Sequence, residues 1–218
     1  MKYRYLTFDC YGTLIDWRTG IENELRKALG NVRIGGQELL DAYVSAEKEQ
    51  ESSYKKYREV LTLTAASLSG RLGVKVTPEA AREFAGSVPR WPAFQDTRSF
   101  LHEMGVRGYK RYILSNIDND LLEGTIHASE LEVDGFVTAE DVGSYKPNPG
   151  HWLRFMEKTG AAKSEILHCA QSLFHDIAPT QTMGIASAWV NRYGEKLDHS
   201  LEPSVICDSL VSLASVLE

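Results

Sequence analysis

Short apolar runs that each stop at a polar residue, separated by stretches of helical periodicity, constrain this chain more than any other feature. Tyr5-Leu6-Thr7-Phe8 stops at Asp9, and Arg111-Tyr112-Ile113-Leu114 stops at Ser115. Phe136-Val137 is a weak third run, Ile166 to Ala170 a fourth and Ala186 to Val190 a fifth. Asp96 to Met104 and His151 to Lys158 read as helices between them, followed by Gly105 and Gly160. Strands alternating with helices predict βαβ units, hence an α/β fold: a Rossmann-like parallel sheet with helices on both faces. Sites in such sheets lie beyond the carboxyl ends of the strands. The residues just after each run are therefore the candidates for chemistry.

One stretch breaks the alternation. From Trp17 to Pro89 the pattern is helical throughout: Ile21 to Leu29, Gly36 to Glu51, Tyr54 to Leu72 and Pro78 to Gly86. Leu39, Leu40, Tyr43 and Val44 recur at helical spacing. Thr77 before Pro78 reads as an N-cap with proline in the first turn. The expected organisation is a Rossmann-like core over 1–16 and 90–218, with a helical cap subdomain inserted over 17–89. The tail from Val205 reads as a last short strand and helix.

Composition narrows the function classes. Lys+Arg 24 against Asp+Glu 30 gives a net charge of −6, which argues against a nucleic-acid partner. The three cysteines, Cys10, Cys169 and Cys207, are odd in number and lack metal-ligand spacing. Reduced thiols fit a cytoplasmic setting. The N-terminus lacks a long apolar signal core, and no apolar run is long enough to span a membrane. The expectation is a cytoplasmic protein with neither a nucleic-acid nor a membrane partner.

Four segments carry candidate chemistry. In Phe8-Asp9-Cys10-Tyr11-Gly12-Thr13-Leu14 a carboxylate directly follows a strand, with a hydroxyl close by. Asp9 can act as a nucleophile, or simply cap a helix with Gly12 and Thr13 as turn residues. In Leu114-Ser115-Asn116 two side chains can donate to an oxyanion or a carboxylate, or merely begin a loop. In Ser144-Tyr145-Lys146-Pro147-Asn148-Pro149 two prolines stiffen the chain beyond Lys146. That ammonium could neutralise Asp9, although a solvated loop lysine is the ordinary reading. In Gln171-Ser172-Leu173-Phe174-His175-Asp176, Asp176 could activate water or pair with Lys146. His175 is an acid/base by type but could point elsewhere. His102, His127, His151, His168 and His199 show no ligand-like pairing in the sequence.

The order Asp9, Ser115, Lys146, Asp176 resembles the four motifs of the haloacid dehalogenase superfamily over nearly the whole chain, and the helical insertion resembles its cap. Phosphatase members of that superfamily carry Asp-x-Asp, whereas the second position here is Tyr11. They also have Gly-Asp where this chain has Ala170-Gln171. A tyrosine, with a pKa of about 10, is a poor general acid. Magnesium needs several hard oxygen ligands. The run Phe-Asp-x-Tyr-Gly-Thr-Leu is similar to the type II 2-haloacid dehalogenases, in which the Asp displaces halide without a metal. A closer likeness is to the L-azetidine-2-carboxylate hydrolases. They share residues 7–17, Trp91-Pro92-Ala93-Phe94, Leu114 to Asp118 and Asp141 to Pro149.

The chain departs from the dehalogenases where they hold the departing halide. Residues 34–57 contain no Arg, Leu173 stands for an Asn, and Trp152 stands for a Tyr. A ring amine leaves when protonated and needs no such Arg. Gln171 and Ile177 differ from the Glu and His of the azetidine hydrolases.

The resemblance implies a metal-independent hydrolase without cofactor, acting on a carbon–halogen or carbon–nitrogen bond at C2 of a small carboxylic acid. Asp9 would form an aspartyl ester, with Lys146, Asp176, Thr13 and Ser115 completing the catalytic set. Cys10, Tyr11, Asn116, Ser172, Trp91, Trp152 and His175 would line the substrate. The cap, with Tyr43, Tyr54, Tyr57 and Trp91, would exclude water. Dimers are common among such relatives, so a homodimer is a further expectation. The rival readings are a magnesium-dependent phosphatase of the same superfamily and a binding protein that kept the fold without turnover.

Overall fold

Tyr5–Phe8 (β1) is buried at every position, as a strand covered on both faces of a parallel sheet must be. In the computed structural model, which describes residues 2–30, 32–51 and 53–217, it lies inside a six-stranded sheet. The other strands are β2 (Lys110–Ser115), β3 (Gly135–Thr138), β4 (Ile166–Ala170), β5 (Ala186–Val190) and β6 (Val205–Cys207). Their order is β3-β2-β1-β4-β5-β6 and every pairing is parallel. All five expected strands are present. Right-handed crossovers that run outward from β1 in both directions place their helices on opposite faces. The order reverses between β1 and β4, which opens a crevice at their carboxyl ends.

The helices are α1 (Trp17–Leu29), α2 (Gly36–Gln50), α3 (Tyr57–Arg71), α4 (Pro78–Ala85), α5 (Thr97–Val106), α6 (Asn119–Ala128), α7 (Ala139–Val142), α8 (Gly150–Thr159), α9 (Ala178–Met183) and α10 (Leu210–Ala214). The chain forms two units. The sheet unit comprises the chain up to Asp16, Ala93–Asn116, and everything from Ser129 on. The helical unit comprises Trp17–Pro92 and Ile117–Ala128. It therefore takes in α6 and residues 90–92, which the sequence reading left in the core.

In the sheet unit, Tyr5, Leu114, Val137, Trp152, Phe155 and Ile166 belong to one apolar cluster. Within the helical unit, Leu39, Leu40 and Tyr43 face inward from α2, as their spacing predicts, whereas Val44 is exposed. Thr77 accepts from the Ala80 N–H at 3.2 Å and caps α4. The cap of α3 comes from a distant residue instead. The buried Asp118 carboxylate accepts from the Tyr57 N–H at 2.8 Å and the Arg58 N–H at 2.9 Å.

Two helix glycines of this unit make opposite predictions. A Cβ on Gly20 of α1 would stand 2.3 Å from Trp91 Cγ. A Cβ on the exposed Gly70 of α3 would meet nothing within 4 Å. Gly20→Ala is expected to cost about 1–3 kcal/mol through overpacking, despite alanine's better helix propensity. Gly70→Ala should add roughly 0.5–1 kcal/mol. Urea unfolding of the two variants reads both signs.

Candidate active site

The turn after β1 is built by its own backbone. The Cys10 carbonyl accepts from the N–H groups of Thr13, Leu14 and Ile15. Gly12 takes a φ of 104°, which favours glycine. The turn returns the Thr13 hydroxyl to the carboxylate four residues earlier, donating to Asp9 Oδ2 at 3.0 Å. The same Thr13 oxygen accepts from the Gln171 N–H at 3.0 Å, tying the β1 turn to the β4 turn. From behind, Arg192 donates to the Thr13 carbonyl at 2.8 Å and pairs with Asp96 at 2.9 Å.

Lys146 joins the two strand-end acids. Its Nζ donates to Asp9 Oδ1 at 2.9 Å, to Asp176 Oδ1 at 2.6 Å and to the Leu114 carbonyl at 2.9 Å. All three ammonium donors are thereby directed. Asn116 fixes the backbone of this lysine: its Oδ1 accepts from the Lys146 N–H at 2.6 Å, and its Nδ2 donates to the Lys146 carbonyl at 3.1 Å. The lysine and Asp176 side chains are sealed, whereas the Asp9 side chain keeps 12% of its surface accessible. Of the two carboxylates, Asp9 is the one a reactant can approach.

The electrostatics separate the two acids. Burial pushes the Asp9 carboxyl above the usual range, partly offset by Lys146, and the Asp176 charge raises it further. Burial acts on Asp176 in the same sense, but Lys146 and His168 outweigh it and hold that carboxyl well below the ordinary value. Burial likewise opposes the Lys146 charge, and the two carboxylates overcome it to raise the ammonium's pKa. Asp176 is thus the permanent counterion, and Asp9 the more basic oxygen donor.

The remaining expected residues divide. Ser115 is buried at the end of β2, and its carbonyl accepts from His151 Nε2 at 3.1 Å. Burial lowers the His151 pKa to about 3, with Lys146 acting in the same direction, so that ring is neutral. Ser172 and His175 pair with each other. The Ser172 hydroxyl accepts from the His175 N–H at 3.0 Å and lies 3.2 Å from His175 Nδ1. Burial lowers the pKa of His175. The Cys10 thiol is buried, and burial together with Asp9 pushes it far up, which makes it inert. Tyr11 is half-buried, beside Asp9 in the same turn.

Three residues expected at the substrate have other partners in the structure. The Asn116 amide is engaged in holding Lys146. Trp152 is fully enclosed in the apolar cluster, its ring edge-on to His168 at 5.2 Å. It lies on the buried face of α8 with Phe155, and that amphipathic pattern governs its position. Trp91 is buried in the helical unit, where its Nε1 donates to Ser87 at 3.0 Å.

One group was missed. His168, set aside by the sequence reading, places Nε2 2.9 Å from Asp176 Oδ1 and Nδ1 2.9 Å from Thr7 Oγ1. A polar pair in two strands otherwise apolar was the available signal, since Thr7 and His168 are register partners.

Asp9 Oδ1, Asp9 Oδ2 and Asp176 Oδ1 all accept hydrogen bonds from side chains of the protein. Among the described residues, no group of three or more His, Cys, Asp or Glu side chains could hold a metal ion. Among them too, no helix is long and apolar enough to cross a membrane.

The family profile of the haloacid dehalogenase-like hydrolases matches residues 3–169. Haloacetate dehalogenase H-2 of Moraxella sp. (strain B) is 22% identical over 227 residues, 99% of this chain and 99% of its own. (S)-2-haloacid dehalogenase 1 of Pseudomonas sp. (strain CBS-3) is 23% identical over 212 residues, 92% of this chain and 89% of its own. The structure of the L-2-haloacid dehalogenase of Xanthobacter autotrophicus with chloropropionic acid covalently bound matches with a TM-score of 0.85 at 20% identity, over 98% of each chain. At that identity the likeness is one of fold.

Proposed function

The chain belongs to the haloacid dehalogenase-like hydrolases, and from that premise we propose that it displaces a heteroatom from C2 of a small 2-substituted carboxylic acid through an ester on Asp9. The observation that carries this reading is the pairing of an accessible Asp9 with a sealed lysine and a sealed second acid. An Asp9 oxygen attacks C2, the C2–heteroatom bond breaks, and its electron pair leaves with the heteroatom. Water then attacks the Asp9 carbonyl carbon, so the oxygen delivered to product is one that began on Asp9. Asp176 Oδ2 is without a protein partner and would be the acceptor that orients this water once ester formation makes room beside it. Ser115, and the turn at Cys10-Tyr11, remain the candidates for holding the substrate carboxylate.

The site supports a route without a metal. The cation facing both carboxylates is Lys146, and Tyr11 stands where a phosphatase has its second acid. Halide is the leaving group supported by the names of the curated relatives. A ring amine is supported by the lack of any Arg in residues 34–57.

The experiment is turnover in EDTA on 2-chloropropionate, L-azetidine-2-carboxylate and a chromogenic phosphate ester, the last also with magnesium. It is paired with a single turnover in H₂¹⁸O. Halide release or ring opening in EDTA, with unlabelled oxygen in the first product, is expected. Phosphate release only with magnesium, or label in the first product, would remove the ester reading.

A further inference from the structure

Asp176 Oδ1 carries two donors while its other oxygen carries none, and the second donor has no place in the chemistry above. The Lys146 ammonium sits 2.6 Å from Oδ1 and His168 Nε2 sits 2.9 Å from it. Oδ2 is buried without a partner. Asp176 is ionised, so Oδ1 can only accept, and Nε2 must bear the proton. The far nitrogen, Nδ1, meets the Thr7 hydroxyl at 2.9 Å. His168 is fully buried, and both its ring nitrogens are engaged by groups on two different elements.

We infer that His168 is a positioning residue: with Thr7 behind it, the ring pins Asp176 by Oδ1 and so reserves Oδ2 for the hydrolytic water. A carboxylate held by one ammonium alone can turn about its Cβ–Cγ bond and present either oxygen. A second donor on the same oxygen, itself held by a strand hydroxyl, removes that freedom. Asp176 and Lys146 stand on one side, with Asp9 beyond them and Thr7 opposite. The edge of Trp152 packs against the ring, and neutral His151 lies on the same helix as Trp152. Thr7 and His168 being register partners of β1 and β4, the device is built into the sheet at its topological switch point.

The inference rests on the aspartyl-ester reading and concerns its second step. Two variants separate positioning from packing. His168→Phe keeps an aromatic ring against Trp152 but removes the donor. His168→Gln gives up the ring and keeps an N–H near the place of Nε2. Expected for His168→Phe is a fall in kcat of about 100-fold, the loss typical of a misplaced catalytic group. Its kcat/KM should fall much less, because ester formation precedes the affected step. Intact-mass analysis of quenched enzyme should show the ester accumulating on Asp9. His168→Gln should retain most of the activity and little ester. An active His168→Phe beside an inactive His168→Gln would make the ring mere packing and overturn the inference. So would equal losses in both with no more ester than wild type.

A substrate-free measurement keeps the two readings distinguishable. The ¹⁵N spectrum of histidine-labelled wild-type protein should show His168 protonated at Nε2, with an exchange-protected proton that is lost in Asp176→Asn. Protonation at Nδ1 alone overturns the inference whatever the reaction. If wild-type enzyme forms no ester with any acid of the panel, the functional reading falls, and the spectrum still decides whether His168 holds Asp176.

Discussion

Replacing Asp9 with Asn is expected to abolish turnover, by on the order of 10⁴-fold or more, as loss of a nucleophile does, while leaving the fold at least as stable. The two halves of this expectation come from the same geometry. Asp9 is the acid of the buried triad with accessible surface, and it is the one whose charge burial disfavours. An asparagine can still accept from Lys146 through its amide oxygen in the place of Oδ1, with its NH2 turned toward the Thr13 hydroxyl in the place of Oδ2. It lacks the carboxylate that would attack carbon. Removing one of two carboxylates also leaves Lys146 and Asp176 as a balanced pair, 2.6 Å apart. Sites that hold a costly charge for chemistry gain stability when that charge is removed. The check is kcat on the responsive substrate together with urea unfolding. Retained activity would remove Asp9 as nucleophile. A large loss of stability would show that its charge serves the fold instead.

How much of this was legible in the sequence follows from which forces act locally. The strand ends at Asp9 and Ser115 were readable because β1 and the end of β2 are buried runs that stop abruptly. Thr77 was readable as a cap because its partner, the Ala80 N–H, lies three residues away. Asp118 was not readable as the cap of α3, because it reaches Tyr57 and Arg58 across about sixty intervening residues. The same cause hid the membership of α6. Its sequence is that of an ordinary crossover helix after β2, and only its long-range packing assigns it to the helical unit.

Polar residues inside strands were the other blind spot. His168 stands in a run that reads as a buried strand, and its role appears only when β4 lies beside β1 in a register that pairs it with Thr7. Trp152 was misplaced for the converse reason. Its correspondence to a motif position of the resembled family suggested a substrate contact, whereas the amphipathic pattern of α8 buries it with Phe155. Where motif position and helix periodicity disagreed, periodicity decided the packing.

Lys146→Met should be the most destabilising change in the site, and the reason is charge arithmetic. The triad holds two carboxylates and one ammonium in a region where Lys146 and Asp176 have almost no contact with solvent. With the ammonium gone, two buried acids face each other with no counterion, and the Leu114 carbonyl loses its donor. Removing one partner of a buried ion pair costs roughly 3–5 kcal/mol. One acid must then take up a proton, and it will be Asp9, whose carboxyl burial already raises while Asp176 keeps His168. A protonated Asp9 is no nucleophile, so activity should vanish with the stability. The double variant Asp9→Asn/Lys146→Met tests the cause. It retains a single buried carboxylate, so it should be more stable than Lys146→Met alone, with a coupling of roughly 1–3 kcal/mol between the two positions. Strictly additive losses in urea unfolding would mean that the lysine stabilises the fold through its packing rather than by bridging the two acids.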